Sequence, residues 1–182
     1  MTIWFTSDFH INHYNIIRYT NRPFKTLEEM NNTIIKKFNE RVKEDDQVFF
    51  LGDFIFRSGS GRGEGEKDKP GYFQKQLNCK NIIYIGGNHD KNNSLKTPIQ
   101  NLVIKHGGKR IFLVHNPEFC NVNYDFCICG HVHNKWQFKR IKRNENFIDC
   151  CNVSIEQWNY YPVNINEINQ AYSIWLKEQR NV

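Results

Sequence analysis

Carboxylates, imidazoles and one carboxamide recur along this chain in short polar motifs. They are Asp8 and His10 in SDFH, Asp53 in LGDF, Asn88 and His89 in GGNHD, His115 in LVHN, and His131 and His133 in CGHVH. Nearly every motif follows a short apolar run. Such a run reads as a buried strand, so each motif falls where a strand stops. Groups of these types, converging from separate strand ends, are what a pair of divalent cations requires. A carboxylate can bridge two cations, and imidazole nitrogen suits Zn, Fe, Mn or Ni. Asp8 and His10 are two residues apart, as are His131 and His133, so in extended chain each pair would face one side. Glycine stands before His131 and before Asp53, and a pair of glycines stands before Asn88, which leaves room for close backbone approach. Taken singly, Asp8 reads as a turn residue and His115 as a satisfied core histidine. The set as a whole points to a metal site.

The elements that must position these groups are legible from periodicity. Ile3 to Thr6, QVFFL, NIIYI and DFCIC read as strands, and NIIRY as a short helical turn. Thr26 and Glu29 have capping-box spacing, and Leu27, Met30, Ile34, Phe38 and Val42 then recur every three or four residues. That pattern predicts an amphipathic helix from about Leu27 to Lys43. NLVIKH, a Gly-Gly turn and KRIFLVH predict one hairpin; WQFKRI and NFIDCCNV predict a second. Ile165, Ile168, Ala171, Tyr172, Trp175 and Leu176 predict a final helix starting near Asn164. Residues 57–71, RSGSGRGEGEKDKPG, are rich in Gly and charge and read as a surface loop, with a lid over the site as a second reading. Strands alternating with helices, followed by hairpins, predict an α/β protein with mixed sheets.

The motifs, in this order, resemble the calcineurin-like metallophosphoesterase superfamily from about Ile3 to about His133. The opening stretch, SDFHINHYNIIRYTNRPF, resembles a small bacterial and phage branch of it. The resemblance implies a single domain over residues 1–182, with two mixed sheets packed face to face and helices outside. It implies two metals, Mn2+ foremost and Fe, Zn or Ni as alternatives. Asp8, His10 and His133 would hold one metal, Asn88, His115 and His131 the other, and Asp53 would bridge them. The nucleophile would be a metal-bridging hydroxide. His89 would lie beside the metals without binding them and would act as the catalytic residue, stabilising phosphoryl charge or protonating the leaving group. Asp90 would orient it or hold its loop. His13 and Arg22 fall in positions that recur in the branch, and Arg57 lies close to a metal motif. All three are candidates for contacting a substrate phosphate, the arginines because a guanidinium meets two oxygens at once.

Composition narrows the partners. The chain has 182 residues, and 39% are hydrophobic, enough for one domain with a real core. No apolar stretch is long enough to span a membrane, and strand-like sequence begins at once, which speaks against a signal peptide. An excess of 25 Lys+Arg over 19 Asp+Glu suits an anionic substrate such as a phosphoester, a nucleotide or a nucleic-acid end. The six cysteines lack paired CxxC spacing and read as small buried hydrophobes. Reduced thiols and no export signal together predict a cytoplasmic protein. Nothing in the sequence fixes an oligomeric state. Two other functions compete. One is a non-catalytic scaffold, although relatives of that kind have lost ligands this chain retains. The other is a nucleic-acid-binding module with Tyr14, Tyr19, Trp136, Trp158, Tyr160 and Tyr161 as stacking candidates.

Overall fold

The computed structural model describes residues 1–56, 69–92 and 95–180. Two mixed sheets carry the chain. The first has the order β3-β2-β1-β9: β1 (Ile3–Thr6), β2 (Gln47–Leu51) and β3 (Ile82–Ile85) run parallel, and the short β9 (Val163–Asn164) pairs antiparallel with β1. The second has the order β4-β5-β6-β8-β7. Its edges are the predicted hairpins, β4 (Asn101–His106) with β5 (Lys109–Val114) and β7 (Phe138–Arg143) with β8 (Asn146–Asn152); β6 (Phe126–Cys129) lies parallel between them.

Alternation along each strand divides the core into layers. Phe5, Phe49, Leu51 and Ile85 of the first sheet face Ile111, Leu113, Phe126, Ile128 and Cys151 of the second, making the central layer. On the other face of the first sheet, Trp4, Val48 and Phe50 pack under α1 (Tyr14–Tyr19), α2 (Leu27–Arg41) and α3 (Pro70–Gln74). The outer face of the second sheet buries Phe112, Val114, Cys127, Cys129, Ile148 and Cys150 under Cys120, Val122, Tyr124 and Trp136, a covering of loop rather than helix. All six cysteines are free and buried, as small apolar side chains would be. The last helix, α4 (Ile165–Arg180), seats Ile165 and Ile168 in the central layer.

Helix ends follow their caps. Thr26 Oγ1 accepts the Glu29 N–H at 3.1 Å, while the Glu29 carboxylate reaches back to the Lys25 N–H at 2.8 Å, one residue earlier than a capping box would place it. The helix stops at Arg41, short of the expected Lys43, because Val42 is already extended. Asp46 then gathers the turn, accepting from the Lys43 and Thr2 backbone and the Trp4 indole. Pro70 opens α3 at a position suited to proline, so the end of the expected 57–71 loop is the first turn of a helix.

Candidate metal centre

The polar motifs do meet, but not as extended chain. Asp8, His10, Asp53, His131 and His133 all have positive φ, between 48° and 70°. Left-handed backbone, not strand alternation, is what turns each pair inward. Asp and His tolerate this region better than branched residues, and such strain, ~1–3 kcal/mol per residue, collects where a site over-determines the backbone. Two such stretches lie side by side: the Asp8, His10 and Ile11 N–H groups donate to Gly52, Asp53 and Phe54 carbonyls at 2.9–3.0 Å. Between the inward residues, Phe9 and Ile11 point the other way and are fully buried; the Phe9 ring meets Phe50 edge-on at 4.7 Å. Glycine is required twice by close approach. A Cβ on Gly87 would strike the Asp53 carboxylate, and one on Gly130 would strike the Asp8 carboxylate and Ser7.

Two groups of donors result. Asp8, His10 and His133 form one, and Asp53, His115 and His131 the other; within each, one ligand atom per residue lies within 4.8 Å of the rest. The Asn88 Oδ1 joins the second group, 3.0 Å from both His115 Nε2 and His131 Nδ1. Asp53 Oδ2 stands between the groups, 3.5 Å from His10 Nε2 and 3.3 Å from His115 Nε2.

The donors fit divalent cations. Asp8 Oδ1 and His10 Nε2 are buried, have no hydrogen-bond partner among the described residues, and face each other at 3.8 Å. A buried carboxylate oxygen and an imidazole nitrogen left without partners are costly unless a ligand satisfies them. The other oxygen of Asp8 is fully used, lying 2.6 Å from Ser7 Oγ, 2.8 Å from Ser154 Oγ and 2.9 Å from the His131 N–H. The histidines are likewise oriented through their second nitrogens. His115 Nδ1 donates to the Leu51 carbonyl at 2.7 Å and His133 Nδ1 to Glu156 at 3.0 Å, which leaves each Nε2 aimed inward.

Charge is balanced within the site. Burial works to raise the Asp8 and Asp53 carboxyls, and the surrounding imidazoles more than offset it, holding both below the usual range. Burial opposes a charged His115, but the Asp53 and Asp8 carboxylates and the Leu51 carbonyl together outweigh it and push His115 up to about 9. For His133 burial is again overcome, by the bond to Glu156.

Glu156 is the participant the sequence motifs do not announce. Its side chain is 3% exposed, and its Oε1 accepts from His133 and from Arg22 Nε and Nη2 at 3.1 and 2.7 Å. Arg22 also donates to the Asp8 and Phe9 carbonyls, both at 2.8 Å, and contacts Met30 Sδ. All five of its N–H directions are thereby engaged, and its side chain has no exposed surface. The expected phosphate contact at Arg22 is therefore corrected: the guanidinium is spent on loop backbone and a buried carboxylate, and it positions rather than receives.

His13 does border the site. Its Nδ1 is 3.4 Å from His10 Nδ1 and its ring stacks on Phe56 at 4.0 Å. Burial and the neighbouring histidines push it down to about 4. The His89 ring stands 5.4 Å from the His10 ring, and the His89 backbone N–H donates to Asp53 Oδ1 at 3.0 Å. Asp90 holds the loops, accepting N–H groups from Asp53, Phe54 and Gly87. Arg57 lies outside the described residues.

Two sheets face to face carry an Asp/His/Asn cluster gathered from their strand ends, with two groups of donors that could each hold a metal ion. Residues 1–148 match the calcineurin-like phosphoesterase superfamily domain, and the chain belongs to that family. It is 38% identical over 172 residues to an uncharacterized protein of Methanocaldococcus jannaschii, covering 91% of this chain and 88% of that one. A shorter match, 34% over 87 residues, is to the gene 66 protein of Mycobacterium phage L5; it covers 48% of this chain and 39% of that protein. Among solved structures, a protein of unknown function from Aquifex aeolicus has a TM-score of 0.67 at 26% identity, over 93% of this chain and 98% of that one. Glu156 lies beyond the matched family segment, which is a further reason the motifs do not lead to it.

Proposed function

We propose that the chain is a dinuclear metal-dependent phosphoesterase acting on a phosphodiester or phosphomonoester. Asp8, His10 and His133 would hold one cation, Asn88, His115 and His131 would hold the other, and Asp53 would serve both. The observation that carries this reading is the position of Asp53 Oδ2, within 3.5 Å of a histidine nitrogen from each group. Cations bound there would neutralise phosphoryl charge and lower the pKa of a water at neutral pH. The chain's own residues do the rest. Ser7, Ser154 and the His131 N–H fix one Asp8 oxygen so that the other points inward. Glu156 and the Leu51 carbonyl engage Nδ1 of His133 and His115, so that Nε2 of each is the nitrogen that would face a cation. His89, next to His10 at the mouth of the site, is placed to donate a proton or a hydrogen bond to the ester oxygens. Mn2+ is the foremost metal, and a reducing cytoplasm suits six unpaired buried thiols.

The test is hydrolysis of bis-p-nitrophenyl phosphate and of p-nitrophenyl phosphate with added Mn2+. The diester and monoester arms separate the two activities. Asp53→Asn should abolish turnover of whichever ester is cleaved, and His89→Ala should lower it about 100-fold or more while metal content holds. Full activity in Asp53→Asn would overturn the mechanism.

A further inference from the structure

A cavity of about 470 Å³ opens against the first metal group, with His10, His133 and His89 in its lining. Its remaining surface is of a particular kind. Phe56 and His13 stack at 4.0 Å with planes 13° apart, and the Tyr19 ring meets His13 edge-on at 6.2 Å. Three rings thus run as one wall from the site to the end of α1. Ile16 and Val132 add aliphatic surface, and Lys135 adds a cation. Tyr19 is 71% exposed, so packing of the fold does not account for its ring being there. Among the described residues no carboxylate lines the cavity.

This lining discriminates among the alcohols a phosphoester could carry. A bare sugar would be met by carboxylates and a dense set of amides, whereas the described lining has no carboxylate and only two amides, Asn15 and Asn134, the second already donating to the Thr20 carbonyl at 3.1 Å. An acyl chain would need a closed apolar channel, and Tyr19 stands open to water. A planar heteroaromatic group suits a wall of ring faces and edges with polar groups at hand, because every nucleobase has a π face. The size falls in the range of cavities that hold nucleotide-sized ligands. Lys135, with no acidic neighbour in the lining, suits an anion entering beside it.

We infer that this cavity is a nucleobase subsite: the substrate is a nucleoside phosphoester whose base stacks against the Tyr19–His13–Phe56 wall while its phosphate reaches the metal groups. The inference rests on the phosphoesterase reading for the position of the phosphate, but not for the binding of the base.

The test is calorimetric titration of the metal-loaded protein with the 5′-methylenephosphonate of adenosine and with that of ribose. Their P–C bonds cannot be hydrolysed, so binding is read apart from turnover. The adenosine compound should bind about 10-fold more tightly or better. Tyr19→Ala should shrink that preference to about 2-fold, and Tyr19→Phe should keep it. Tyr14→Ala, an exposed ring on the same helix but outside the cavity, should leave it unchanged. Equal or undetectable binding of the two compounds, or a preference that survives Tyr19→Ala, overturns the subsite. Turnover of bis-p-nitrophenyl phosphate or of p-nitrophenyl phosphate in the same preparation separates the failures. Turnover without base preference removes the subsite alone; base preference without turnover removes the catalytic reading and leaves the subsite standing.

Discussion

The two donor groups are built differently. Asp8 and His10 are almost wholly buried, and the group they form with His133 is braced by charge: Arg22 binds the Asp8 carbonyl and Glu156, and Glu156 binds His133. That brace joins residues 134 positions apart in sequence. The second group shares buried Asp53 and His115, but its other members are an exposed Asn88 and a partly exposed His131. Its support is a Leu51 carbonyl behind His115 and the buried Asp90 carboxylate, which accepts the Asp53 and Gly87 N–H groups; among the described residues no cation braces it as Arg22 braces the first. One group is thus part of the folded core and the other is completed by loops. A cation in the first should be held more tightly, and one in the second should exchange more readily.

Several changes would break or sharpen this contrast. The largest effect is expected from Arg22→Ala, which strands a buried Glu156 carboxylate and two carbonyls. It should cost about 3–5 kcal/mol in urea unfolding, whereas Asn88→Ala should cost less than about 1 kcal/mol. Equal losses would mean the two groups are equally part of the core. Next, Glu156→Gln keeps the shape but removes the charge behind His133. Calorimetric titration with Mn2+ should show affinity at the tighter site falling about 10- to 100-fold, with the weaker site little changed. Asn88→Ala should do the reverse. Outside both groups, Asp149 offers a control on the second sheet. Burial works to raise its carboxyl, and the bonds from Arg140 and Tyr172 more than offset this, so its folded pKa is depressed. Its contribution is therefore complete above the unfolded value of about 3.9 and is lost as pH falls through the folded value. The stability gap between wild type and Asp149→Asn should narrow below about pH 4, with metal affinity at neutral pH unmoved; a gap constant with pH would contradict the assignment. The smallest effect belongs to Thr26→Ala, about 1 kcal/mol from the lost α2 cap, with metal binding at both groups unaltered.

What the sequence made legible, and what it hid, follows the same division. Period-2 runs, with a Gly-Gly turn in one case and a polar turn in the other, revealed both hairpins, and the spacing from Leu27 to Phe38 revealed α2, because these are local patterns set by burial on one face. The donor residues were legible by type. Their geometry was not: alternation suggested an extended Asp8–His10 pair, whereas positive φ at both residues is imposed by the neighbouring loop, to which their N–H groups donate. Arg22 resembled a surface anion binder because sequence does not register that Glu156, far along the chain, closes over it. Two-residue β9 was missed because so short a strand carries no period; it exists through its pairing with Trp4 and Phe5.

The central claim is that Asp53 stands between two cations. Anomalous scattering from crystals of Mn2+-loaded protein tests it most directly. Two peaks should appear on either side of Asp53 Oδ2, one against Asp8, His10 and His133 and the other against Asn88, His115 and His131, with the second weaker after dialysis. A single peak under saturating Mn2+, or peaks that leave Asp53 without a metal contact, would contradict the account.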